Sequence, residues 1–109
     1  MAYEKTTLAE VQEEIVSQIQ RDLSHHDELK LKSIMISGLA EEAGEVAGLF
    51  KRELRNLPKD QLRCTREHYV EELGDVLWYL TGVAITHRIT LQELWDYNIQ
   101  KLEDRYGKR

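Results

Sequence analysis

The chain has 109 residues, of which 41% are hydrophobic, and its 15 basic and 20 acidic side chains give a net charge of −5. This length suits one domain with a modest core, so we predict a single domain over residues 1–109. The acidic balance argues against binding a nucleic-acid polymer, which needs a broad basic face. No apolar run reaches the roughly 18 residues of a membrane span, and the polar start is unlike a signal peptide. We therefore expect no membrane contact. Because Cys64 is the only cysteine, no internal disulfide can form, and we expect a cytoplasmic location.

The first half of the chain predicts two amphipathic helices. Thr7-Leu8-Ala9-Glu10 has the form of a capping box, and apolar residues recur from there to Leu23 at steps of three and four. The polar segment Ser24-His25-His26-Asp27 should end this helix. A second helix is predicted from about Leu29 to Arg55, and Pro58 marks the turn that follows it.

The second half predicts two more helices and no strand. The third should run from about Gln61 to Thr86, and a second capping box, Thr90-Leu91-Gln92-Glu93, opens the fourth, which Gly107 closes. Trp78 and Trp95 lie at helical spacing among apolar residues and are expected in the core. The fold class is therefore predicted as all-α, a four-helix bundle.

Two acidic clusters stand inside apolar helical runs, Glu41-Glu42-Ala43-Gly44-Glu45 and Glu72-Leu73-Gly74-Asp75. Carboxylates three or four residues apart share one helix face. Their apolar neighbours should place both clusters beside a buried seam, where unpaired negative charge is costly. These neighbours are Leu39, Val46 and Phe50 on one helix and Leu73, Leu77 and Leu80 on the other. A divalent cation would offset the charge, and Mg²⁺, with Mn²⁺ as the alternative, suits oxygen-only ligands.

Glutamate rows also occur on solvated helix faces, so either cluster alone is weak evidence. Each cluster, however, contains a glycine, Gly44 or Gly74, which costs roughly 1 kcal/mol relative to alanine inside a helix. A solvated face does not need these glycines, whereas close approach of two helices does. We therefore expect tight packing at Gly44 and Gly74, with carboxylates of both helices converging.

A polar and cationic row on the predicted last helix is the third feature. Asn98, Lys101 and Arg105 are spaced at i, i+3 and i+7 and share one face. Arginine can bind phosphate oxygens bidentately and lysine supplies a mobile charge, so the row suits a polyphosphate. Basic residues in a last helical turn also complement the helix dipole, which is the alternative for Lys101 and Arg105.

Two other functions compete with a divalent-metal site that acts on a polyphosphate. A carboxylate-bridged di-iron or di-manganese oxidase also uses glutamates of facing helices, but it needs Glu-x-x-His, and no histidine here lies three residues after a glutamate. A catalytically inactive helical dimerisation or regulatory module could keep the same fold. It would show self-association without Mg²⁺ binding or catalysis.

Three blocks in order carry a family resemblance: Gly38 to Val46 with Glu41-Glu42-x-x-Glu45, Glu72 to Leu80 with Glu72-x-x-Asp75, and Asn98 to Tyr106. Together they resemble the MazG-type all-α nucleoside triphosphate pyrophosphohydrolases, over about Leu31 to Tyr106. The resemblance implies Mg²⁺-dependent hydrolysis of (deoxy)nucleoside triphosphates to monophosphate and pyrophosphate, with nucleotide-pool house-cleaning as the role. The base and sugar that are preferred do not follow from it.

The resemblance also implies roles for individual acids. Glu42, Glu45, Glu72 and Asp75 match the family's metal ligands. Glu41 and Glu42 are expected to be catalytic, and for Glu41 metal binding, orientation of the attacking water as a base, and tuning of the local field are all open. We expect it to position the water.

On the substrate side, Asn98, Lys101 and Arg105 match positions that the family uses around the nucleotide and its phosphates, and Lys51 is placed with them as substrate-binding. We also expect homo-oligomerisation, as a homodimer or a dimer of dimers, to complete the bundle. One thin bundle should leave apolar faces uncovered, such as Ile15–Ile19 and Trp78–Ile85.

Overall fold

The computed structural model describes residues 5–55 and 66–107, and this part of the chain contains four helices and no strand. In chain order the helices are α1 (Leu8–Leu23), α2 (Glu28–Leu54), α3 (Arg66–Thr86) and α4 (Leu91–Tyr106). The all-α prediction is confirmed, and the predicted helix ends agree within one residue wherever they are described. The predicted turn at Pro58 and the predicted start of the third helix at Gln61 lie outside the described residues.

Capping boxes begin α1 and α4, as predicted. Thr7 Oγ1 accepts a hydrogen bond from the Glu10 amide at 3.1 Å, and Glu10 Oε1 accepts one from the Thr7 amide at 3.1 Å. Thr90 and Glu93 form the same reciprocal pair, at 3.0 and 3.4 Å. Each pair satisfies amides that a helix start leaves without intrahelical partners, so both helices begin at a residue fixed by local sequence.

Helices α2 and α3 form an antiparallel pair. Residues early in α2 lie against residues late in α3, and the reverse holds at the other end of the pair. The facing pairs are Met35 with Gly82, Gly38 with Tyr79, and Glu53 with Tyr69, whose hydroxyl donates to Glu53 Oε1 at 3.0 Å.

The absence of a side chain at two glycines allows this close packing. A Cβ on Gly38 would overlap the ring of Tyr79, and a Cβ on Gly82 would overlap the side chain of Met35. The large side chain of one helix therefore occupies the space above the glycine of the other, which fixes how the two helices are aligned.

Within one chain, the prediction of close packing at Gly44 and Gly74 is wrong. A Cβ on either glycine would meet nothing within 4 Å in the described chain. Both residues are exposed, because the tight contacts involve glycines paired with a large side chain on the facing helix. A glycine in a helical pattern does not reveal whether such a partner exists.

The core lies where α1 crosses the α2–α3 pair. Ile15, Ile19 and Met35 are its buried centre, and the partly buried residues around them are Val11, Leu23, Leu31, Trp78, Tyr79 and Val83. Two glutamines of α1 accept hydrogen bonds from α3 and α4. Gln18 Oε1 accepts from Trp78 Nε1 at 2.7 Å, and Gln12 Oε1 accepts from the Leu91 amide at 2.9 Å.

This core corrects two predictions and confirms one. Ile15 and Ile19, expected on a free face, are buried within the chain, since α1 turns its apolar stripe toward α2 and α3. The other expected free face, Trp78–Ile85, is also largely covered, because Thr81, Gly82 and Ala84 are buried and only Leu80 in this range is exposed. Trp78 belongs to the core region as predicted. Trp95 does not, because it is 56% exposed on α4, a helix that packs mainly against α1.

Several apolar residues expected in a buried seam beside the acids are exposed within one chain. They are Phe50 on α2 and Leu73, Leu77 and Leu80 on α3. Leu39 and Val46 are partly buried. The steps of three and four residues between apolar positions predicted the helices correctly. However, α3 carries apolar residues on more than one side, and its contact with α2 covers only part of them.

Candidate functional site

Three carboxylates meet between α2 and α3. Glu42, Glu72 and Asp75 each place one carboxylate oxygen within 4.8 Å of the others. Glu42 and Glu72 are partly buried and Asp75 is exposed, so the group opens to solvent on the side of Asp75. Oxygens bound to one Mg²⁺ lie about 3–4 Å apart. Small side-chain movements would bring these three to that separation.

The carboxylates lie on the helix faces that elsewhere form the α2–α3 contact. Glu42 follows Met35 and Gly38 along α2 at steps of three and four residues. On α3 the same steps connect Gly82, Tyr79, Asp75 and Glu72. Because each of these helices continues its packing face into the acids, the cluster is part of the contact between helices, unlike a glutamate row on a solvated face.

The cluster is electrostatically unfavourable without a cation. Partial burial raises the pKa of Glu42, and the negative charge of Asp75 raises this pKa further. The neighbouring Glu72 carboxyl group and the charge of Glu41 raise the pKa of Glu42 as well. Within the described residues, no basic side chain forms an ion pair with any of the three clustered acids. A hard divalent cation would supply the missing positive charge.

Glu41 and Glu45 occupy the same part of α2 but are exposed and stand outside the three-carboxylate group. Glu41 is nevertheless close enough for its charge to raise the pKa of Glu42. The structure therefore brings together Glu42, Glu72 and Asp75, whereas Glu45, the fourth predicted metal ligand, stands outside the group.

Asn98, Lys101 and Arg105 are exposed on α4, as their common face predicted. Within the described residues neither Lys101 nor Arg105 forms an ion pair, so both cations are available to an anion. In one chain α4 packs mainly against α1. Residues of this row line two cavities, and none of the three clustered acids lines either of them.

The two cavities along α4 differ in character. One of about 610 Å³ is lined by Ile89, Glu93, Leu94, Tyr97, Asn98 and Lys101. The second, of about 280 Å³, is lined by Tyr97, Gln100, Lys101, Asp104 and Arg105. Tyr97 was not among the residues predicted from the sequence, although its position four residues before Lys101 places it on the cationic face.

Lys51 lies in the last turn of α2 and is exposed. Nine residues separate it from Glu42, a rise of about 13 Å along the helix. It lines neither cavity of α4. Its positive charge in the last turn of α2 complements the helix dipole.

The described part of the chain is all-α, and its α2–α3 pair brings together three carboxylates that form a candidate site for a divalent cation. The family model described as "MazG nucleotide pyrophosphohydrolase domain" matches residues 31–109, and the chain belongs to this family. The match begins inside α2, so α1 precedes it.

The chain is also similar to "Gene 37 protein" of Mycobacterium phage L5, at 33% identity over 79 residues, covering 72% of this chain and 69% of that protein. That name states no activity. No solved structure gives a significant match. Among the described helices, none is long and apolar enough to cross a membrane.

Proposed function

We propose that the chain hydrolyses nucleoside triphosphates between the α and β phosphorus atoms, in a Mg²⁺-dependent reaction that gives monophosphate and pyrophosphate. The observation that carries the proposal is the cluster of Glu42, Glu72 and Asp75 in the α2–α3 contact of a MazG-family chain. Keeping three carboxylates together where charge is poorly solvated has a stability cost, which bound cation and substrate would offset.

The donor set fits Mg²⁺, since it consists of carboxylate oxygens alone and opens to solvent on one side, where water and phosphate oxygens can complete an octahedral shell. We assign Glu42, Glu72 and Asp75 to the metal, with Glu45 as a further ligand from the solvent side. Bound there, the cation would neutralise phosphate charge and hold the leaving pyrophosphate. Glu41, exposed beside Glu42, would accept a hydrogen bond from the attacking water and orient it.

The proposal predicts that the phosphates also contact cations of the chain. Lys101 and Arg105 carry unpaired charge within the described residues, and Asn98 adds an amide on the same face. Lys51 is a further candidate. Since one chain does not bring α4 to the acids, we propose that a second copy completes the site.

Assembly is supported by the shape and surface of one chain. The Cα radius of gyration is 17.0 Å, whereas a compact chain of this length has about 13 Å. On α3, Leu73, Leu77 and Leu80 are exposed at steps of four and three residues, and Phe50 and Leu54 are exposed on α2. Contiguous apolar surface of this kind mostly marks interfaces. We propose a homodimer or a dimer of dimers that covers it.

The reaction is tested by measuring pyrophosphate release from a panel of ribo- and deoxynucleoside triphosphates, with Mg²⁺ or EDTA, and by identifying the nucleotide product. Metal-dependent formation of monophosphate and pyrophosphate is expected. If no triphosphate yields pyrophosphate, the chain is not this enzyme, and a non-catalytic helical module becomes the better account.

Assembly is tested by sedimentation of the wild type and of the double variant Leu73→Glu with Leu77→Glu. We expect the wild type to sediment as a dimer or larger and the double variant to shift toward the monomer, because two charges would enter the apolar surface. Ser17→Glu, which adds a charge to an exposed position of α1, is the control and should leave assembly intact. A monomeric wild type would refute the assembly proposal.

A further inference from the structure

Tyr97 is exposed on the cationic face of α4. Its side chain is 75% exposed, and Tyr97, Lys101 and Arg105 are spaced at i, i+4 and i+8, so that they form one row along the helix. The chain does not form a hydrogen bond or ring contact with Tyr97 within the described residues. An exposed aromatic ring beside two unpaired cations is a surface that a ligand with both an aromatic part and a negative part would match.

The two cavities that Tyr97 lines differ as such a ligand would require, because one has an apolar wall and the other has charged groups. The larger one, of about 610 Å³, has an apolar wall formed by Ile89 and Leu94, and its volume is in the range of small-molecule sites. The smaller cavity is lined by polar and charged groups, including Arg105. Tyr97 and Lys101 belong to both, so the two cavities meet at this pair of residues.

We propose that Tyr97 is a substrate-binding residue that stacks on the base of the bound nucleotide, with the base in the larger cavity and the phosphates extending toward Lys101 and Arg105. This inference rests on the proposed function for the identity of the ligand. Every base offers a π face, so stacking binds the nucleoside end without selecting one base by hydrogen bonds. The Ile89 and Leu94 wall would cover the base from water.

The direct test separates binding of the base from binding of the phosphates. The probes are α,β-methylene adenosine triphosphate, which cannot be cleaved at the α–β position, and inorganic tripolyphosphate, both with Mg²⁺. Equilibrium binding of each is measured for the full-length wild type, Tyr97→Ala and Tyr97→Phe. The matched control is Tyr106→Ala, because Tyr106 is also on α4 and 75% exposed but lines neither cavity.

We expect Tyr97→Ala to weaken binding of the nucleotide analogue by roughly 5- to 150-fold, the range found when a stacking aromatic is removed. Tripolyphosphate binding should not change, Tyr97→Phe should retain affinity for both probes, and Tyr106→Ala should bind both like the wild type. Helicity of each variant is checked by circular dichroism. Because Tyr97 is exposed, all of them should fold.

Three results would overturn the inference: unchanged nucleotide binding by Tyr97→Ala, an equal loss of tripolyphosphate binding, or no binding of the analogue by the wild type. Failure of the proposed reaction looks different. A wild type that binds the analogue through Tyr97 yet releases no pyrophosphate from adenosine triphosphate would refute the hydrolysis and leave the stacking intact. Sedimentation of Tyr97→Ala completes the test, since dissociation of the assembly with loss of both probes would assign Tyr97 to an interface.

Discussion

The Glu42 carboxyl group of α2 and the Glu72 carboxyl group of α3 place oxygen atoms within 4.8 Å of one another. Two negative charges this close repel each other, so either protonation or a bound cation favours the arrangement. Partial burial and the charge of Asp75 also raise the pKa of Glu42. The ionised cluster is therefore a source of instability that either a proton or a cation relieves.

The variant Glu42→Gln should be more stable than the wild type at neutral pH without metal. The raised pKa means that the folded chain holds this proton more tightly than the unfolded chain, so the contribution of Glu42 to stability falls as pH rises through its folded pKa. Thermal unfolding in EDTA should give a higher Tm for Glu42→Gln, with the difference shrinking as the pH is lowered toward 4.5, the ordinary glutamate value.

Saturating Mg²⁺ should reverse this order, because the cation stabilises only the chain that binds it. The control is Glu71→Gln, which removes a charge from an exposed position of α3 outside the cluster and should shift Tm little in either condition. A Glu42→Gln Tm equal to that of the wild type at all pH values, with and without metal, would show that the cluster is neither strained nor a cation site.

Turnover should depend on the clustered acids and on Glu45. We expect Asp75→Asn and Glu45→Gln each to lower the rate of pyrophosphate release by more than about 100-fold, since loss of groups that only support metal ligands already costs 10–100-fold. Both changes keep the side-chain shape, so helicity and assembly should be retained. Glu71→Gln again serves as the control. A Glu45→Gln variant with wild-type rates would limit the site to Glu42, Glu72 and Asp75.

Alanine substitutions at two glycines of the α2–α3 pair should change the free energy of unfolding in opposite directions. Gly38→Ala would force a Cβ into the ring of Tyr79, and we expect a loss of about 1–3 kcal/mol in the free energy of unfolding. Gly74→Ala is the matched control within the other helix of the pair. Its Cβ would meet nothing, so alanine should stabilise the helix by up to about 1 kcal/mol.

Urea unfolding of both variants is the measurement. A destabilised Gly74→Ala would be informative, because it would mean that another copy of the chain packs closely at this glycine. A Gly38→Ala variant as stable as the wild type would show that the Tyr79 ring can move aside without loss of packing.

Features set by neighbouring residues could be predicted from the sequence. Thr7 with Glu10 and Thr90 with Glu93 determine where α1 and α4 begin, since a cap depends on residues three positions apart. The acidic clusters were visible because helical spacing puts their members on one face. The sequence did not show which acids of the two helices meet. That depends on how α2 is aligned on α3, and this alignment is set by the contacts of Gly38 with Tyr79 and of Gly82 with Met35, which join residues distant in sequence.

The burial of individual apolar side chains was predicted less well for the same reason. Trp95 and Leu77 have the periodicity of core residues, yet they are exposed in one chain. Periodicity shows that a helix has an apolar face, but the number of such faces on α3 exceeds what α1 and α2 cover. Conversely, Ile15 and Ile19 were assigned to a free face because the sequence did not show that α1 crosses the helix pair.

The end of α3 offers a further prediction. Arg88 has a φ of 60°, in the left-handed region, and it follows the helix in a Schellman arrangement. Its amide donates to the Ile85 carbonyl at 2.9 Å, and the Ile89 amide donates to the Ala84 carbonyl at 2.9 Å. Glycine is the usual residue at this position, because a Cβ makes the left-handed conformation costly.

Replacing Arg88 by glycine should therefore stabilise the chain by roughly 0.5–1 kcal/mol, the relief of backbone strain less the greater chain entropy of glycine when unfolded. Arg88→Ala is the control: it keeps the strain and, like Arg88→Gly, removes the exposed ion pair of Arg88 with Glu28 at 4.0 Å, which is worth little. Chemical denaturation compares the two. If Arg88→Gly is no more stable than Arg88→Ala, the conformation at this helix end costs nothing, and the Schellman hydrogen bonds alone determine where α3 stops.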